Sequence, residues 1–336
     1  MRKSSSVVHV LCGGALLSLA AAGSAQAQAW LTFDVQGSAA VSPIAITRTG
    51  NTIVGYYNTG TADASFLRTS DGVVSTFSLV DGASTRALSA NRYNDIAGTV
   101  SPGPTTQGFL RTADGLAVRF SVDGSSFTEA TGINDKDLVA GDYTDTSTSK
   151  RNGFVRKPDG KVTTFASPDG TDVAVKAINN QGTVVGTYGT HGFYRNNQGV
   201  MTTFRITANY VVPVAINAGG AIAAYYADTS GKIHGLVRSS SGALQGFNAP
   251  NAANGSFPTG INDDGIVVGW CLDGQNVTHG FALNTATSKF AALNAPDGAK
   301  GTKLLAIGQD GKMVGFYTDA GGAQHAVRAN AAITGF

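Results

Sequence analysis

Along most of its length the chain alternates short apolar runs with polar turns rich in glycine, asparagine and aspartate, the pattern of β-strands rather than of helices. The pattern repeats. The stretch 177–188, Ala-Ile-Asn-Asn-Gln-Gly-Thr-Val-Val-Gly-Thr-Tyr, recurs at 260–271 as Gly-Ile-Asn-Asp-Asp-Gly-Ile-Val-Val-Gly-Trp-Cys. Five weaker copies complete a set of seven, with isoleucine-type positions at Ile46, Leu88, Ile133, Ile178, Ile216, Ile261 and Ile307. The matching glycine-type positions are Gly55, Gly98, Gly141, Gly186, Ala224, Gly269 and Gly315, spaced by 43, 43, 45, 38, 45 and 46 residues.

Each copy predicts four strands: a short Ala-Ile piece, a Val-Val-Gly-x-Tyr strand reached through an Asn-x-x-Gly turn, a Gly-Phe-x-Arg strand, and one ending in Thr-Phe, as at Thr164-Phe165. Asp71-Gly72, Asp114-Gly115 and Asp159-Gly160 fall between strands three and four, where a tight hairpin needs residues that tolerate positive φ. A four-stranded sheet with apolar residues on both faces must be covered on both, and radial stacking does this for every copy, ends included. An open stack would need polar caps, and neither end of the repeat array resembles one. The expected fold is therefore all-β, a seven-bladed β-propeller of four-stranded blades. The residue before each isoleucine-type position reads as Ala or Gly (Ala45, Ala87, Gly132, Ala177, Ala215, Gly260, Ala306), which suits an innermost strand crowded against a central channel. Two segments compete to close the ring, Trp30-Leu31-Thr32-Phe33 and Ile333-Thr334-Gly335-Phe336, and the sequence does not choose between them.

Composition sharpens this picture: 44 glycines and a single glutamate, Glu129, leave little material for helices. Arg2 and Lys3, an apolar run from Val7 to Ala22 and Ala25-Gln26-Ala27 predict a secretory leader over 1–27, with cleavage after Ala29 as the alternative, and a single propeller domain over 28–336. His9-Val10-Leu11 before Cys12 lacks the small residue that lipidation requires. Loss of the leader removes Arg2 and Lys3 from the 24 basic residues and none of the 22 acids, so the mature chain is balanced and offers no electrostatic basis for nucleic acid. Cys271 is then the one remaining cysteine and forms no internal disulfide. The apolar stretch 211–226 is broken by Pro213, Asn217, Gly219 and Gly220, so no transmembrane anchor is expected in the mature chain.

The triplets His191-Gly192-Phe193, His234-Gly235-Leu236, His279-Gly280-Phe281 and His325-Ala326-Val327 resemble the motif of bacterial extracellular HAF-repeat proteins. The first three copies depart from it, with Ala64, Gln107 and Asn152 at the histidine position. The resemblance spans essentially the whole mature chain and implies export and a repeat fold, not a particular activity.

Chemistry-bearing residues mostly fall into rows, and rows argue for structure. Histidines 191, 234, 279 and 325 occupy one position in consecutive blades, too divergent to converge on a metal ion, and Asp228, Asp273 and Asp319 are their expected partners. Arg68, Arg111, Arg156, Arg195, Arg238 and Arg328 read as ion-paired or stacked stems, with an anion-binding ring as the alternative. Tyr57, Tyr143, Tyr188, Tyr226 and Tyr317 read as core, and Cys271 in that row as a buried, inert thiol. Asn262-Asp263-Asp264-Gly265 lacks the alternating acids of a calcium loop and reads as a turn. No nucleophile elbow, zinc motif or phosphate loop occurs, and no cofactor is expected.

One row varies: Tyr56, Thr99, Asp142, Thr187, Tyr225, Trp270 and Phe316, immediately after the repeat glycine. Its aromatic members, Tyr56, Tyr225, Trp270 and Phe316, belong to copies that become neighbours once the ring closes, and they are the candidate binding residues for stacking sugar rings; gap-filling between blades is the alternative. The expected protein is a secreted or periplasmic, non-catalytic binding module whose partner is a polysaccharide or an envelope protein. The competing classes are a lyase- or glycosidase-like enzyme using the channel through a non-repeated acid such as Asp142 or Glu129, and a structural envelope component.

Overall fold

The computed structural model describes residues 29–38 and 40–330; the expected leader over 1–27 and the segment 333–336 lie outside them. The described residues form seven four-stranded antiparallel sheets, a seven-bladed β-propeller without helices. Six blades are contiguous, at 40–77, 84–120, 125–165, 173–204, 210–247 and 255–292, and the seventh joins 302–330 to the strand Ala29–Phe33. Each blade places its first strand innermost, and first strands of neighbouring blades pack side by side around the channel.

The N-terminal strand closes the ring. Ala29–Phe33 pairs with Gln324–Asn330, from Ala29 opposite Asn330 to Phe33 opposite Ala326. Phe33 is buried, lies edge-on to Phe66 of blade one at 6.2 Å and carries the Arg68 guanidinium 5.0 Å above its ring. Closure is thus both a sheet pairing and a packing joint between blades seven and one.

The first strands are longer than the Ala-Ile pieces expected, and all seven carry a β-bulge at one position. Pro43, Pro213 and Pro258 stand just before it, which an innermost edge strand tolerates because proline there deprives no neighbour of a hydrogen bond. Beside the bulge the first-strand carbonyl closes on the second strand: a Cβ added at Gly186 would lie 2.1 Å from the Ala174 oxygen and 3.0 Å from the Phe193 ring. That close approach is the physical reason for the glycine row. The bulge also corrects the reading of blade two. Ala90 stands opposite Ile96 as Ile46 stands opposite Ile53, so the isoleucine-type residue is Ala90 and its predecessor Ser89, not Leu88 and Ala87. Leu88 is the bulge residue, apolar because it faces the channel.

Interblade packing accounts for the other rows. Phe66, Phe109, Phe154, Phe193 and Phe281 are fully buried, and each meets the last aromatic ring of the preceding blade at 5.9–6.2 Å between centroids. Arg68, Arg111, Arg156 and Arg195 lie over those same rings at 4.7–5.0 Å, and Arg238 over Tyr194 at 4.6 Å. These arginines are stacked stems, joining blade to blade by cation–π contact. Arg328 does not belong with them. It pairs with Val314 as Leu67 pairs with Val54, so it points to the opposite face of its sheet, and Ala329 takes the arginine position.

The histidines stack on the tyrosines opposite them, His191 on Tyr188, His234 on Tyr226 and His325 on Tyr317, at 5.0–5.3 Å. Nε2 of His234, His279 and His325 meets Asp228, Asp273 and Asp319 at 3.0, 2.9 and 3.4 Å, the partners expected. Nδ1 of His325 also reaches Asp34, just past the closing strand, at 3.1 Å, and this contact raises the imidazole above its ordinary pKa. Cys271 is buried, its thiol pushed up to about 11 by desolvation.

Candidate functional site

The channel has two mouths, and each is built by one end of the first strands. At one end lie the Asn-x-x-Gly turns. Asn179 shows their design: its Oδ1 accepts the Gln181 and Thr183 amides of its own turn, while Nδ2 donates to the Asn217 carbonyl of the next blade at 3.0 Å. Asn91, Asn134 and Asn217 donate in the same way to the carbonyls of Asn134, Asn179 and Asn262. The result is a buried belt of side-chain amides running through blades two to six. It satisfies turn and blade joint with one residue type.

Blades seven and one have Gly308 and Thr47 instead, and different bonds fill the gap. Gln309 accepts the Asp263 amide and donates its own N–H to the Arg48 carbonyl. The Arg48 side chain then extends to Asp263 of blade six at 2.5 Å and to Asp135 of blade three at 3.6 Å. Those two acids stand almost opposite each other in the ring, so a guanidinium that touches both lies across the mouth. The sequence showed the Asn-x-x-Gly turns but not this crossing. Its signal was the residue after each asparagine-type position, which varies as Arg48, Arg92, Asp135, Asn180, Ala218, Asp263 and Gln309.

At the other mouth the varied row faces its cross-strand partners: Tyr56 with Ser42, Thr99 with Arg86, Asp142 with Glu129, Thr187 with Ala174, Tyr225 with Val212, Trp270 with Phe257 and Phe316 with Lys303. Three of the four candidate aromatics are brought into one run. Tyr225 lies 5.9 Å from Phe257, which stacks on Trp270 at 4.2 Å and 14°. Lys303 of the next blade sits 4.1 Å over the Trp270 ring and 5.9 Å from Phe316, and Tyr210 extends the run behind Tyr225 at 6.5 Å. All of these side chains are half-buried in the crevices between blades, with the rest of each ring at the surface. Burial pushes the Tyr225 phenol up and the Lys303 ammonium down from their ordinary pKa values. Tyr56 stands apart: its partner is Arg86, 5.2 Å over the ring and itself paired with Asp63, because the residue placed as Lys303 is in blade one is the short Ser42. Phe257 and Lys303 were not among the expected site residues. They lie on the first strand, directly opposite Trp270 and Phe316 and on the rim side of the bulge.

The same rim carries a charged group in blade three. Asp142 is buried, and Arg151 Nε lies 2.7 Å from its Oδ1 while the Val175 amide of blade four donates to Oδ2 at 3.0 Å. Arg151 also reaches Glu129 at 3.1 Å and covers the Phe127 ring at 4.9 Å. Burial outweighs the arginine and holds the Asp142 carboxyl up at about 6. The two non-repeated acids therefore share one guanidinium. Among the described residues no group of three His, Cys, Asp or Glu side chains is placed to hold a metal ion.

Solved structures share this architecture. Virginiamycin B lyase from Staphylococcus aureus, in an inactive variant with quinupristin, superposes with a TM-score of 0.61 over 90% of this chain and 99% of that one, at 13% identity. An oligogalacturonate lyase in complex with manganese gives 0.57 over 91% and 97%, at 10% identity, and TolB from Acinetobacter baumannii 0.51 over 73% and 64%, at 12%. At such identities the likeness is one of fold. No protein-family model matches the chain, and no curated protein matches it in sequence. Among the described residues no helix is long and apolar enough to cross a membrane.

Proposed function

We propose that the protein is an exported, non-catalytic binding module, akin to the HAF-repeat proteins, that takes an extracellular glycan or other surface polymer on the aromatic rim of its channel. The observation that carries this reading is the half-exposed run Tyr225, Phe257, Trp270 and Phe316 with Lys303 set between rings. Flat rings in series offer repeated faces to a polymer of repeated units, and a positioned ammonium adds a donor for hydroxyl or carboxylate groups. The test is binding of the purified protein to an array of bacterial and plant polysaccharides, with Trp270→Ala alongside. Loss of a central stacked ring is expected to weaken binding about tenfold or more while the variant still melts cooperatively. Binding unaffected by Trp270→Ala sinks the site. Binding to no polymer sinks the reading and leaves an envelope component that acts through protein contacts.

A second reading has its own observation, the Asp142 carboxyl raised to about 6 beside Glu129 and Arg151. A raised acid beside a second carboxylate is a common setting for general acid–base chemistry, and it supports a lyase- or glycosidase-like enzyme. This reading requires turnover of a polymer that disappears in Asp142→Asn and Glu129→Gln. Retention of turnover in both variants overturns it.

A further inference from the structure

We propose that the channel is a one-ended pocket for a small amphipathic carboxylate, its apolar body inserted among the innermost strands and its carboxylate paired with Lys176. The cavity measures about 400 Å³, within the roughly 300–1,000 Å³ usual for small-molecule sites. Its turn-side mouth is crossed by Arg48 in contact with Asp135 and Asp263, so a ligand enters from the rim side. Above that floor the wall is apolar, with Ile133, Ile178 and Ile216 at one level.

The level nearer the rim is set by the bulge residues, which the ladder leaves without cross-strand partners and which line the cavity. Most of them are aliphatic. Thr131 and Thr259 are the polar exceptions, and both turn their hydroxyls onto carbonyls, Thr131 to Ala140 at 3.3 Å and Thr259 to Leu304 at 3.0 Å. Lys176 is different. Its side chain is exposed in the cavity, and among the described residues its ammonium makes no ion pair or hydrogen bond. It contributes to the field at Asp142, but the oxygens of that carboxylate already face Arg151 and the Val175 amide.

Among the described residues Lys176 is the cavity cation without a protein partner, Arg48 at the floor being paired with Asp135 and Asp263, and the isoleucine level lies between the two, so a ligand sets its anionic head toward the rim and its apolar body against the isoleucines. This pocket is separate from the aromatic rim and does not depend on the polymer-binding reading. The test uses octanoate and its uncharged amide, titrated calorimetrically into the protein at neutral pH. Saturable binding of octanoate is expected, with the amide at least about tenfold weaker, and Lys176→Met weakening octanoate by a similar factor while the melting temperature stays unchanged. Ile216→Trp fills the cavity and abolishes binding, whereas Trp270→Ala leaves octanoate binding as it is, so failure of the rim reading and failure of this one are separable. No saturable binding, equal binding of acid and amide, full binding to Lys176→Met, or binding that survives Ile216→Trp overturns the proposal.

Discussion

The two mouths of one channel are built on opposite principles. At the turn side a single residue type recurs through five blades, buried, and in blades two to five its side-chain amide donates to a carbonyl of the next blade. At the rim side the equivalent positions hold three aromatic rings in a run, a tyrosine under an arginine, a buried acid, and two threonines. Repetition is what a ring needs for stability, since each joint between blades is the same joint. Variation at matching positions is what a ring needs to recognise something, because a ligand is not sevenfold symmetric. The contrast teaches that in a repeat protein the informative residues are those that break a row, provided the row lies at a surface.

The sharpest way to break the contrast is to cut the belt. In Asn179→Ala the Gln181 and Thr183 amides lose their acceptor, and the Asn217 carbonyl loses its bond from the preceding blade while keeping the Gly220 amide of its own turn. The expected loss is about 2–3 kcal/mol, or a melting temperature lower by roughly 3–5 °C for a ring of this size. A change within about 0.5 kcal/mol on chemical denaturation removes the belt's claim to be structural. The rim makes the opposite prediction. Because the folded-state pKa of Asp142 lies near 6, above the ordinary 3.8, the folded protein holds that proton more tightly than the unfolded chain. The contribution is fully present below pH ~4 and is lost as pH rises through ~6, so the ionised group weakens the fold at neutral pH. Asp142→Asn is therefore expected to stabilise the protein by about 2 kcal/mol at pH 8 and by nothing measurable near pH 4. Denaturation curves at both values check this, and a destabilised variant at pH 8 shows that the Arg151 pair matters more than burial.

Much of the architecture was legible because each blade repeats the same joints. The glycine row marks a close approach between strands, the arginine row a stacked stem, and the histidine row a bond to Asp228, Asp273 or Asp319. Errors of register arose where a local pattern imitated the row. Leu88 passes for the isoleucine because both are aliphatic and both meet the channel, although Asn91 directly after Ala90 marks the true position. Arg328 passes for the stacked arginine although it follows Val327, which holds the phenylalanine position, by one residue and not by the two that separate Phe66 from Arg68. Phe257, Lys303 and Lys176 were not legible as site residues, since first-strand positions become opposed to second-strand ones only after the bulge is counted. Arg48 was missed for a different reason: a side chain that spans the ring belongs to no blade.

That crossing gives the smallest effect. Arg48 is about one-third exposed, as is Asp263, whereas Asp135 is nearly buried, so the cluster gains part of its strength from a shielded acid and part from a solvated one. Exposed ion pairs typically contribute about 0–1 kcal/mol, and salt screens them. Arg48→Ala is accordingly expected to lower stability by no more than about 1 kcal/mol at low ionic strength, with the difference from the parent shrinking toward zero in about 0.5 M salt. The belt next to it keeps its bonds, because none of them passes through the guanidinium. A loss as large as that of Asn179→Ala, and insensitive to salt, would mean that the crossing arginine holds the ring together at blades seven and one, where the asparagines are missing.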